Sequence, residues 1–343
     1  MQKLITAFDL LLPEFSLLFK SRYHLLQVIA EQNPIGRRNL STQLQVSERI
    51  IRKEVDTLRE QGLVEFSHLG ITLTPEGENL LSSLYLPLQV LEGASLLARE
   101  VEELLELEQV VIVKGNADKD EGVKKKLGMA CASMMGELLR DNMSIAITGG
   151  TTIAKMVEIM PKQHGNYKNL VVIPARGSVG GRVEFQANTL AVELAKKIGA
   201  NYKLFTIPDN LSNSSIELIK KEPTIQKVLH KLAEADMIIF GIGSAMTMAR
   251  RRNEPKEVVE KLESNKAVAE AFRHYFDMEG HIVHASEAIG VSPDIVKKIP
   301  IRLALVGGKS KVGALLATKE LLKGGYLIID ESVAQEIINK LTT

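Results

Sequence analysis

Four short segments combine glycine with hydroxyl or cationic side chains, which are the groups that bind phosphate. They are residues 148–152, 174–177, 241–244 and 307–311. The hydroxyls include those of Thr151, Thr152 and Ser310, and the cations are those of Arg176, Lys309 and Lys311. Glycine lets backbone N–H groups approach an anion closely, while hydroxyls and cations add donors and charge. A single glycine-rich turn is usually only turn geometry, but four that meet on one edge predict a phosphate-binding cleft.

Each segment follows an apolar run that is typical of a buried strand. Such runs occupy residues 110–113, 144–147, 170–173, 237–240, 303–306 and 326–329. Near-continuous apolar runs indicate strands covered on both faces, as in a parallel sheet between helices. The sequence therefore predicts an α/β domain with a doubly wound parallel sheet. In such sheets ligands bind at the carboxyl ends of the strands, where helix N-termini present free N–H groups.

Motifs for nucleotide and metal chemistry are missing from this sequence. Residues 308–310 resemble the end of a P-loop, but Leu303 stands where that motif requires glycine, and no G-x-G-x-x-G follows the first predicted strand of the sheet. His281 and His284 have no third ligand at a suitable spacing. Cys131 lies in an apolar helical pattern typical of a buried thiol. We therefore expect no nucleoside triphosphatase, no dinucleotide enzyme, no metal and no cofactor.

A second pattern, over residues 46–58, predicts a capped helix with one apolar and one basic face. Ser47 can accept from the free N–H groups of the first turn. The apolar face is formed at i, i+4 and i+7 by Ile51, Val55 and Leu58. The residues left pointing outward are Arg49, Arg52 and Lys53. Taken alone, this is an ordinary surface helix, and its flanks decide the interpretation.

Those flanks predict a winged helix-turn-helix. A short helix over 37–44 and a tight turn precede Ser47, an apolar helix over 22–31 closes the core, and residues 63–73 alternate as two strands of a wing would. Arg37 and Arg38 suit contacts to DNA phosphates. The residues of the second helix, Arg49, Arg52 and Lys53, suit base edges or nearby phosphates.

Length and charge set the organisation. A chain of 343 residues implies at least two domains, and we expect boundaries at 1–90, 91–108 and 109–343. With 43 basic against 42 acidic residues the chain is nearly neutral, so any DNA affinity must be local and salt-sensitive. One cysteine excludes an internal disulfide, and no run of apolar residues spans a bilayer. We expect a soluble, cytoplasmic protein without membrane contact.

Two helical segments are candidates for self-association. Residues 4–19 read as a docking or dimerising helix. Between residues 84 and 107 two helices, kinked near Pro87, present a leucine-rich stripe of Leu84, Leu88, Leu91, Leu97, Val101 and Leu104. The stripe fits a dimer seam and ordinary packing against the next domain equally well.

With both halves considered, the chain resembles the SorC family of bacterial transcriptional regulators over essentially its whole length. The resemblance rests on residues 34–38, 46–49, 148–152, 174–177, 186–189, 241–243, 247–249, 251–253, 307–308 and 310–311. It implies a repressor of glycolytic genes, not an enzyme, that releases operator DNA when fructose-1,6-bisphosphate binds. It also implies an effector domain related in fold to sugar-phosphate isomerases and deaminases. Because a single winged module buries too little DNA contact for tight specific binding, we also expect a homo-oligomer, either dimer or tetramer.

The resemblance further implies roles for individual residues. One phosphate would be cradled by Gly149, Gly150, Thr151 and Thr152, with Lys311 nearby. The other phosphate or sugar hydroxyls would be held by Arg176, Gln186 and Arg251, while Glu270 would accept from hydroxyls. Lys309 departs from the family pattern and could strengthen a phosphate site or face solvent. The residue patterns themselves, rather than the resemblance, give the expected DNA-binding residues, which are Arg37, Arg38, Ser47, Arg49, Arg52 and Lys53.

Two alternatives stay open. An active sugar-phosphate isomerase or deaminase fused to a DNA-binding module also explains the cleft, but it needs a positioned base that spacing alone does not identify. A regulator that senses a monophosphorylated sugar or nucleoside would differ only in the second anion site.

Overall fold

The computed structural model describes residues 11–84, 95–160, 167–177, 182–207, 213–286 and 288–342. The described chain divides into two compact units, the first made of residues 11–84 with Ser95 and the second beginning at Leu96. None of the helices in these ranges is long and apolar enough to cross a membrane.

The first unit is a small helical domain with a hairpin. Its elements are α1 (Pro13–Glu31), α2 (Arg37–Leu44), α3 (Glu48–Glu60), β1 (Val64–Ser67), β2 (Gly70–Leu73) and α4 (Pro75–Ser83). β1 and β2 pair antiparallel. The core contains the residues that the sequence pattern placed there, including Leu25, Leu26, Val28, Ile29, Leu40, Ile51, Val55 and Leu58. The predicted winged helix-turn-helix is confirmed.

Local signals fix the turn between α2 and α3. Gln45 adopts a left-handed conformation with φ of 54°, and the Ser41 hydroxyl donates to the Val46 carbonyl at 2.6 Å. The Ser47 hydroxyl oxygen then accepts the N–H of Ile50 at 3.4 Å and caps α3. The cap sets where α3 begins, and the buried stripe sets which of its side chains face outward.

The second unit is built on a seven-stranded sheet. Its strands are β3 (Gln109–Val113), β4 (Ser144–Ile147), β5 (Val171–Pro174), β6 (Asn201–Tyr202), β7 (Met237–Gly241), β12 (Ile301–Val306) and β13 (Tyr326–Asp330). All neighbouring pairs are parallel. Apart from β6, the strands coincide with the predicted apolar runs, because burial on both faces leaves little room for polar residues. Both residues of β6 are exposed, and no apolar run signals it.

The strand order is β3-β13-β12-β7-β4-β5-β6. The chain passes from β4 outward through β5 and β6, returns to β7 on the other side of β4, and continues outward through β12 and β13. The order therefore reverses between β4 and β7, which makes this junction the topological switch point of a doubly wound sheet.

Helices precede, connect and follow these strands. They are α5 (Ser95–Leu105), α6 (Glu121–Leu138), α7 (Thr151–Ile159), α8 (Ala187–Ile198), α9 (Asn213–Lys220), α10 (Pro223–Ala233), α11 (Ala245–Arg251), α12 (Lys256–Ser264), α13 (Pro293–Val296), α14 (Val312–Ala317) and α15 (Glu331–Thr342). Short 3-10 turns lie at Val183–Phe185, Lys309–Lys311 and Lys319–Leu321.

A small antiparallel sheet, which the sequence pattern did not predict, follows β7. Its strands are β8 (Gly243–Ser244), β9 (Ala269–Ala271), β10 (His274–Phe276) and β11 (Ile282–Ala285), in the order β11-β10-β9-β8. The turn between β9 and β10 has positive φ at Phe272 (54°) and at Arg273 (65°). Asn or Gly usually marks such a turn, so Phe-Arg carries no recognisable hairpin signal.

The part of the leucine stripe that lies on α5 packs within the second unit, whereas Leu84 directly follows α4 in the first unit. Val101 and Leu105 of α5 are buried, and Leu97 and Leu104 pack against the same core. Packing against the next domain, one of the two interpretations of this stripe, is the one observed for α5. Leu88, Leu91 and the predicted kink at Pro87 lie outside the described residues.

Candidate functional site

The four glycine-rich segments lie side by side at one edge of the sheet. They follow β5, β4, β7 and β12, which are neighbours in that order. Because the strands are parallel, their carboxyl ends meet at the same edge, and the switch point between β4 and β7 falls in the middle of the row. The structure thus brings the segments together where ligands of doubly wound sheets bind.

Gly149 and Gly150 lie between β4 and α7, where they contact the residues that precede α8. The N–H of Gly150 donates to the carbonyl of Phe185 at 3.0 Å. A Cβ atom on Gly149 would lie 2.4 Å from that carbonyl oxygen, so only glycine allows this approach. Gln186, the residue that precedes α8, is thereby brought beside the first turn of α7.

Thr151 and Thr152 occupy the first two positions of α7 and are half-buried. Within the described residues, neither hydroxyl takes part in a hydrogen bond. The first turn of a helix also leaves backbone N–H groups without helical partners. Hydroxyl and N–H donors therefore converge at this helix start, as an anion site requires.

Arg176 lies just beyond β5. Its backbone forms a bridge with Gly290, and the N–H of Gly177 donates to the Ile289 carbonyl at 2.9 Å. The N–H of Ala175 donates to the Ile147 carbonyl at 2.8 Å, which holds this segment against the end of β4. Arg176 is half-buried at the same edge as Thr152.

Glu270 is held in a buried ion pair. Its Oε1 lies 2.7 Å from Nη1 of Arg252 and accepts the N–H of Arg273 at 2.8 Å. The pKa of Arg252 is raised, because Glu270 outweighs the effect of burial, which alone would lower it. Gly243, two residues after the end of β7, lies opposite Glu270 in the pairing of β8 with β9. The Glu270 residue therefore lies close to the carboxyl end of β7.

A second carboxylate, Glu254, organises the same small sheet. Its Oε1 accepts from the Ser286 hydroxyl at 2.7 Å and from the Tyr275 hydroxyl at 3.2 Å, and it lies 3.6 Å from Nη1 of Arg273. Burial raises the pKa of Tyr275 to about 12, so its hydroxyl stays a donor at neutral pH. Two neighbouring ion pairs therefore hold Glu270 and its surroundings in place.

The basic triplet 250–252 splits between core and surface. Arg252 turns inward to Glu270, whereas Arg250 and Arg251 are exposed. Successive helical residues point about 100° apart, so they cannot all face one site.

The turn after β12 is tied to two aspartates. The fully buried Asp330 accepts through Oδ2 from the N–H groups of Gly308 at 2.6 Å and Ala117 at 3.1 Å. Its Oδ1 accepts from the Ser332 hydroxyl at 2.5 Å and the N–H of Val333 at 3.1 Å. Asp330 thus joins the loops that follow β3, β12 and β13.

Lys311 is the half-buried cation of the turn after β12. Burial lowers the pKa of its ammonium, and the charges of Lys124 and Arg251 lower it further, while Asp118 and Asp330 oppose the change. Lys311 and Arg251 therefore share one neighbourhood with Lys124. Sequence reasoning did not select Lys124, because it is only one of three consecutive lysines in an amphipathic helix.

Lys309 points elsewhere. Its Nζ lies 2.8 Å from Oε2 of Glu336 on α15, and this contact lowers the pKa of Glu336. The Lys309 side chain is mostly exposed. The Lys309 ammonium therefore pairs with Glu336 in this structure, whereas the sequence suggested that it could bind phosphate or face solvent.

In the first unit, the basic face of α3 is exposed. Arg49, Arg52 and Lys53 all lie on the surface, opposite the buried stripe. Arg38 is also exposed and lies 3.7 Å from Glu48, a surface pair that costs little to break. Ser47 acts as the cap of α3. The α3 face therefore presents three cations that no ion pair of the described residues engages.

Arg37 is more constrained than its neighbours. Its guanidinium lies 4.8 Å from the centre of the Phe66 ring on β1 and 3.4 Å from Asp56 on α3. Arg59, which sequence reasoning did not select, lies 5.0 Å from the same ring. Cation–π contacts of this kind stabilise by about 0.5–1 kcal/mol at exposed sites. They fix two guanidinium groups where α2, α3 and the wing meet.

Other candidates have structural partners. His281 binds Asp277, His284 packs on the Tyr275 ring, and the described residues contain no group of three or more metal-binding side chains. Cys131 is buried, and burial raises the pKa of its thiol. The roles in ligand and DNA binding of all the residues above stay predictions.

Known protein families cover both units. Residues 90–339 match the family model "Putative sugar-binding domain", and residues 18–86 match "CggR N-terminal DNA binding domain". The match to the central glycolytic genes regulator of Bacillus subtilis (strain 168) is 39% identical over 338 residues, covering 98% of this chain and 99% of the relative. The regulator of the same name from Priestia megaterium is 38% identical over 339 residues, with 98% and 99% covered.

A solved structure agrees. "The crystal structure of the putative SorC family transcriptional regulator from Enterococcus faecalis" is 32% identical, with a TM-score of 0.66, and the match covers 71% of this chain and 99% of that one. The DNA-binding family model falls on the winged helix-turn-helix, and the sugar-binding family model falls on the part of the chain that forms the parallel sheet. The chain belongs to the SorC family of sugar-binding transcriptional regulators, and within that family to the central glycolytic genes regulators.

Proposed function

We propose that this regulator represses glycolytic genes and releases its operator when fructose-1,6-bisphosphate occupies the strand-end cleft. The observation that carries the proposal is the presence of two kinds of anion-binding group on one edge. Hydroxyls and N–H groups without a hydrogen bond in the described part of the chain gather at the start of α7, and Lys311 lies within electrostatic range of the cations Lys124 and Arg251 as well as of Asp118 and Asp330. Two such groups favour a ligand with a phosphate at each end.

The names of the relatives support the choice of genes. Proteins that are 38–39% identical over nearly the whole chain are called central glycolytic genes regulators. A monophosphorylated sugar would use only one of the two groups and should bind more weakly.

We further propose that the cleft binds the sugar without chemical change. A general base must hold a free lone pair within reach of the proton that it takes. The carboxylates described at this edge are already engaged: Asp330 by four donors and Glu270 by Arg252 and a backbone N–H. Such carboxylates stabilise loops and orient hydroxyls better than they accept protons.

On the DNA side, we propose that the exposed face of α3 enters the major groove. Arg49, Arg52 and Lys53 would contact base edges or phosphates, and Arg37 and Arg38 would contact flanking phosphates. A single winged module buries too little DNA surface for tight specific binding, so a dimer or tetramer on a repeated operator is expected. Exposed apolar residues just before and within the first turns of α1 fit such self-association; they are Leu11, Leu12, Phe15, Leu17 and Leu18.

The test is a thermal-shift panel of phosphorylated metabolites, followed by operator binding. A ligand at 100 times its dissociation constant stabilises the native state by about 2.7 kcal/mol, so a binder stands out clearly. Fructose-1,6-bisphosphate should stabilise the protein more than fructose 6-phosphate or inorganic phosphate at equal concentration. A larger shift with a monophosphate, or steady turnover of the sugar, would contradict the proposal.

Linkage supplies an independent check. If the sugar weakens operator binding by some factor, operator DNA must weaken sugar binding by the same factor. Titrating the sugar into free and operator-bound protein measures both sides of this relation. Equal sugar affinity in the two states would exclude induction by this ligand.

A further inference from the structure

Asp118, on the loop between β3 and α6, occupies the donors of the turn after β12. Its Oδ2 accepts the N–H of Ser310 at 2.9 Å, and its Oδ1 accepts the Ser310 hydroxyl at 2.9 Å. The carboxylate thus makes a bidentate contact with the residue that immediately precedes Lys311. A carboxylate with this geometry uses the donors that a phosphate oxygen would use.

The contact is built into the framework of the two loops. Asp330 binds the N–H of Ala117 on one loop and of Gly308 on the other. A Cβ atom on Gly308, where φ is 94°, would lie 2.1 Å from Oδ1 of Asp118, so the absence of a side chain admits the carboxylate. The Asn116 side chain accepts the N–H of Asp118 at 2.8 Å and fixes the turn that carries it.

The surroundings also make Asp118 an electrostatic competitor. Lys311 lies in the same neighbourhood with Lys124 and Arg251, and the negative charge of Asp118 partly offsets theirs. A phosphate that binds beside Lys311 meets a carboxylate already seated on Ser310. It must displace that carboxylate or bind against its charge.

We propose that Asp118 is an internal competitor for the effector phosphate, and that it sets the affinity of the cleft by holding the donors of Ser310 until a stronger anion replaces it. The proposal rests on the proposed function, because it concerns the same cleft. A phosphate dianion has more charge and more acceptor oxygens than a carboxylate, so it can win this exchange. A neutral sugar or a weak monoanion cannot.

The experiment compares Asp118→Asn with the parent by calorimetric titration of inorganic phosphate and of fructose-1,6-bisphosphate. Asparagine keeps an oxygen that can accept from Ser310 but loses the charge, so both ligands should bind about tenfold more tightly. The operator should correspondingly be released at about one-tenth of the sugar concentration. Asp118→Ala serves as a second variant, because Asn116 and Asp330 hold the loop independently of the Asp118 side chain.

Glu121→Gln is the matched control. Glu121 binds Lys124 in the same neighbourhood without contacting Ser310, so its removal changes the local charge but not the competition. An affinity in Asp118→Asn equal to or weaker than the parent's would overturn the proposal, as would an equal gain in Glu121→Gln. Failure of the proposed function would give a different result. In that case the parent protein itself would not bind fructose-1,6-bisphosphate, whatever the affinity of Asp118→Asn for inorganic phosphate.

Discussion

Arg252 lies with Nη1 2.7 Å from Oε1 of Glu270, and only 5% of the Glu270 side chain is exposed. The pair connects α11, which carries Arg251, to the small sheet that carries Glu270. A buried pair of this kind orients its members but gains little net stability, because desolvation offsets the attraction. Its value to the protein lies in fixing a carboxylate at the carboxyl end of β7.

Removing one partner should therefore be costly. We expect Arg252→Met to lower the free energy of unfolding by roughly 3–5 kcal/mol, because Glu270 would keep a buried charge without its cation. Urea denaturation measures the change. The double variant Arg252→Met with Glu270→Gln should recover part of the loss, while Arg250→Ala, at an exposed position, should change stability by less than about 0.5 kcal/mol. Additive losses in the double variant would show that the pair is not coupled.

The DNA-binding prediction concerns α3. Arg49→Ala or Arg52→Ala should weaken specific operator binding by about 1–3 kcal/mol if the residue reads a base edge. Arg37→Ala should weaken binding to operator and to unrelated duplex alike, because we assign Arg37 to DNA phosphates, which are the same in every sequence. Fluorescence anisotropy on both duplexes at two salt concentrations separates these effects.

Lys227→Ala is the control for charge. Lys227 is an exposed lysine of α10 in the second unit, so its loss changes net charge equally without altering α3. Operator affinities of Arg49→Ala, Arg52→Ala and Arg37→Ala that all match the parent would refute the assignment of this face.

The effector prediction concerns Thr152 and Arg251. Each charge-assisted contact should contribute roughly 1.5–3 kcal/mol, so Thr152→Ala and Arg251→Ala should blunt sugar-induced release from the operator. Binding to operator without sugar should be unchanged, and such variants should act as constitutive repressors. Arg250→Ala is the matched control, because Arg250 is the exposed neighbour of Arg251 on the same helix turn. A normal sugar response in both Thr152→Ala and Arg251→Ala would show that neither residue contributes to effector binding.

The lowered pKa of Lys311 makes a prediction about pH. Burial disfavours its charged form in the folded state, so the unfolded chain binds more protons between the folded and unfolded pKa values. Stability should therefore rise with pH through that interval, which lies below the ordinary lysine range. Below it Lys311 is charged in both states, and the folded protein carries the full desolvation cost.

Lys311→Met removes the titrating group. The variant should be more stable than the parent near pH 7, and its advantage should shrink as the pH approaches 10. Denaturation curves at both pH values test this, with phosphate-free buffer to avoid ligand effects. A variant that is less stable than the parent at pH 7 would show that Lys311 stabilises the fold.

Local sequence patterns determined much of this protein. The cap at Ser47, the stripe of Ile51, Val55 and Leu58, and the apolar strands of the parallel sheet each depend on residues close in the chain. Periodicity and burial of this kind are written into consecutive residues, so they can be read without tertiary information. The convergence of the glycine-rich segments followed as well, because parallel strands end at one edge.

Only the tertiary structure decided which side chains meet. Asp118 and Ser310 are 192 positions apart, and their contact exists because β13 brings the loops after β3 and β12 together. The hairpin at Phe272 and Arg273 carries no turn residue that would signal it, and its left-handed conformation is sustained by contacts of Arg273 with Glu270 and Glu254. Whether a cation such as Lys309 faces a ligand or a carboxylate depends on strand order and loop packing, which no local pattern encodes.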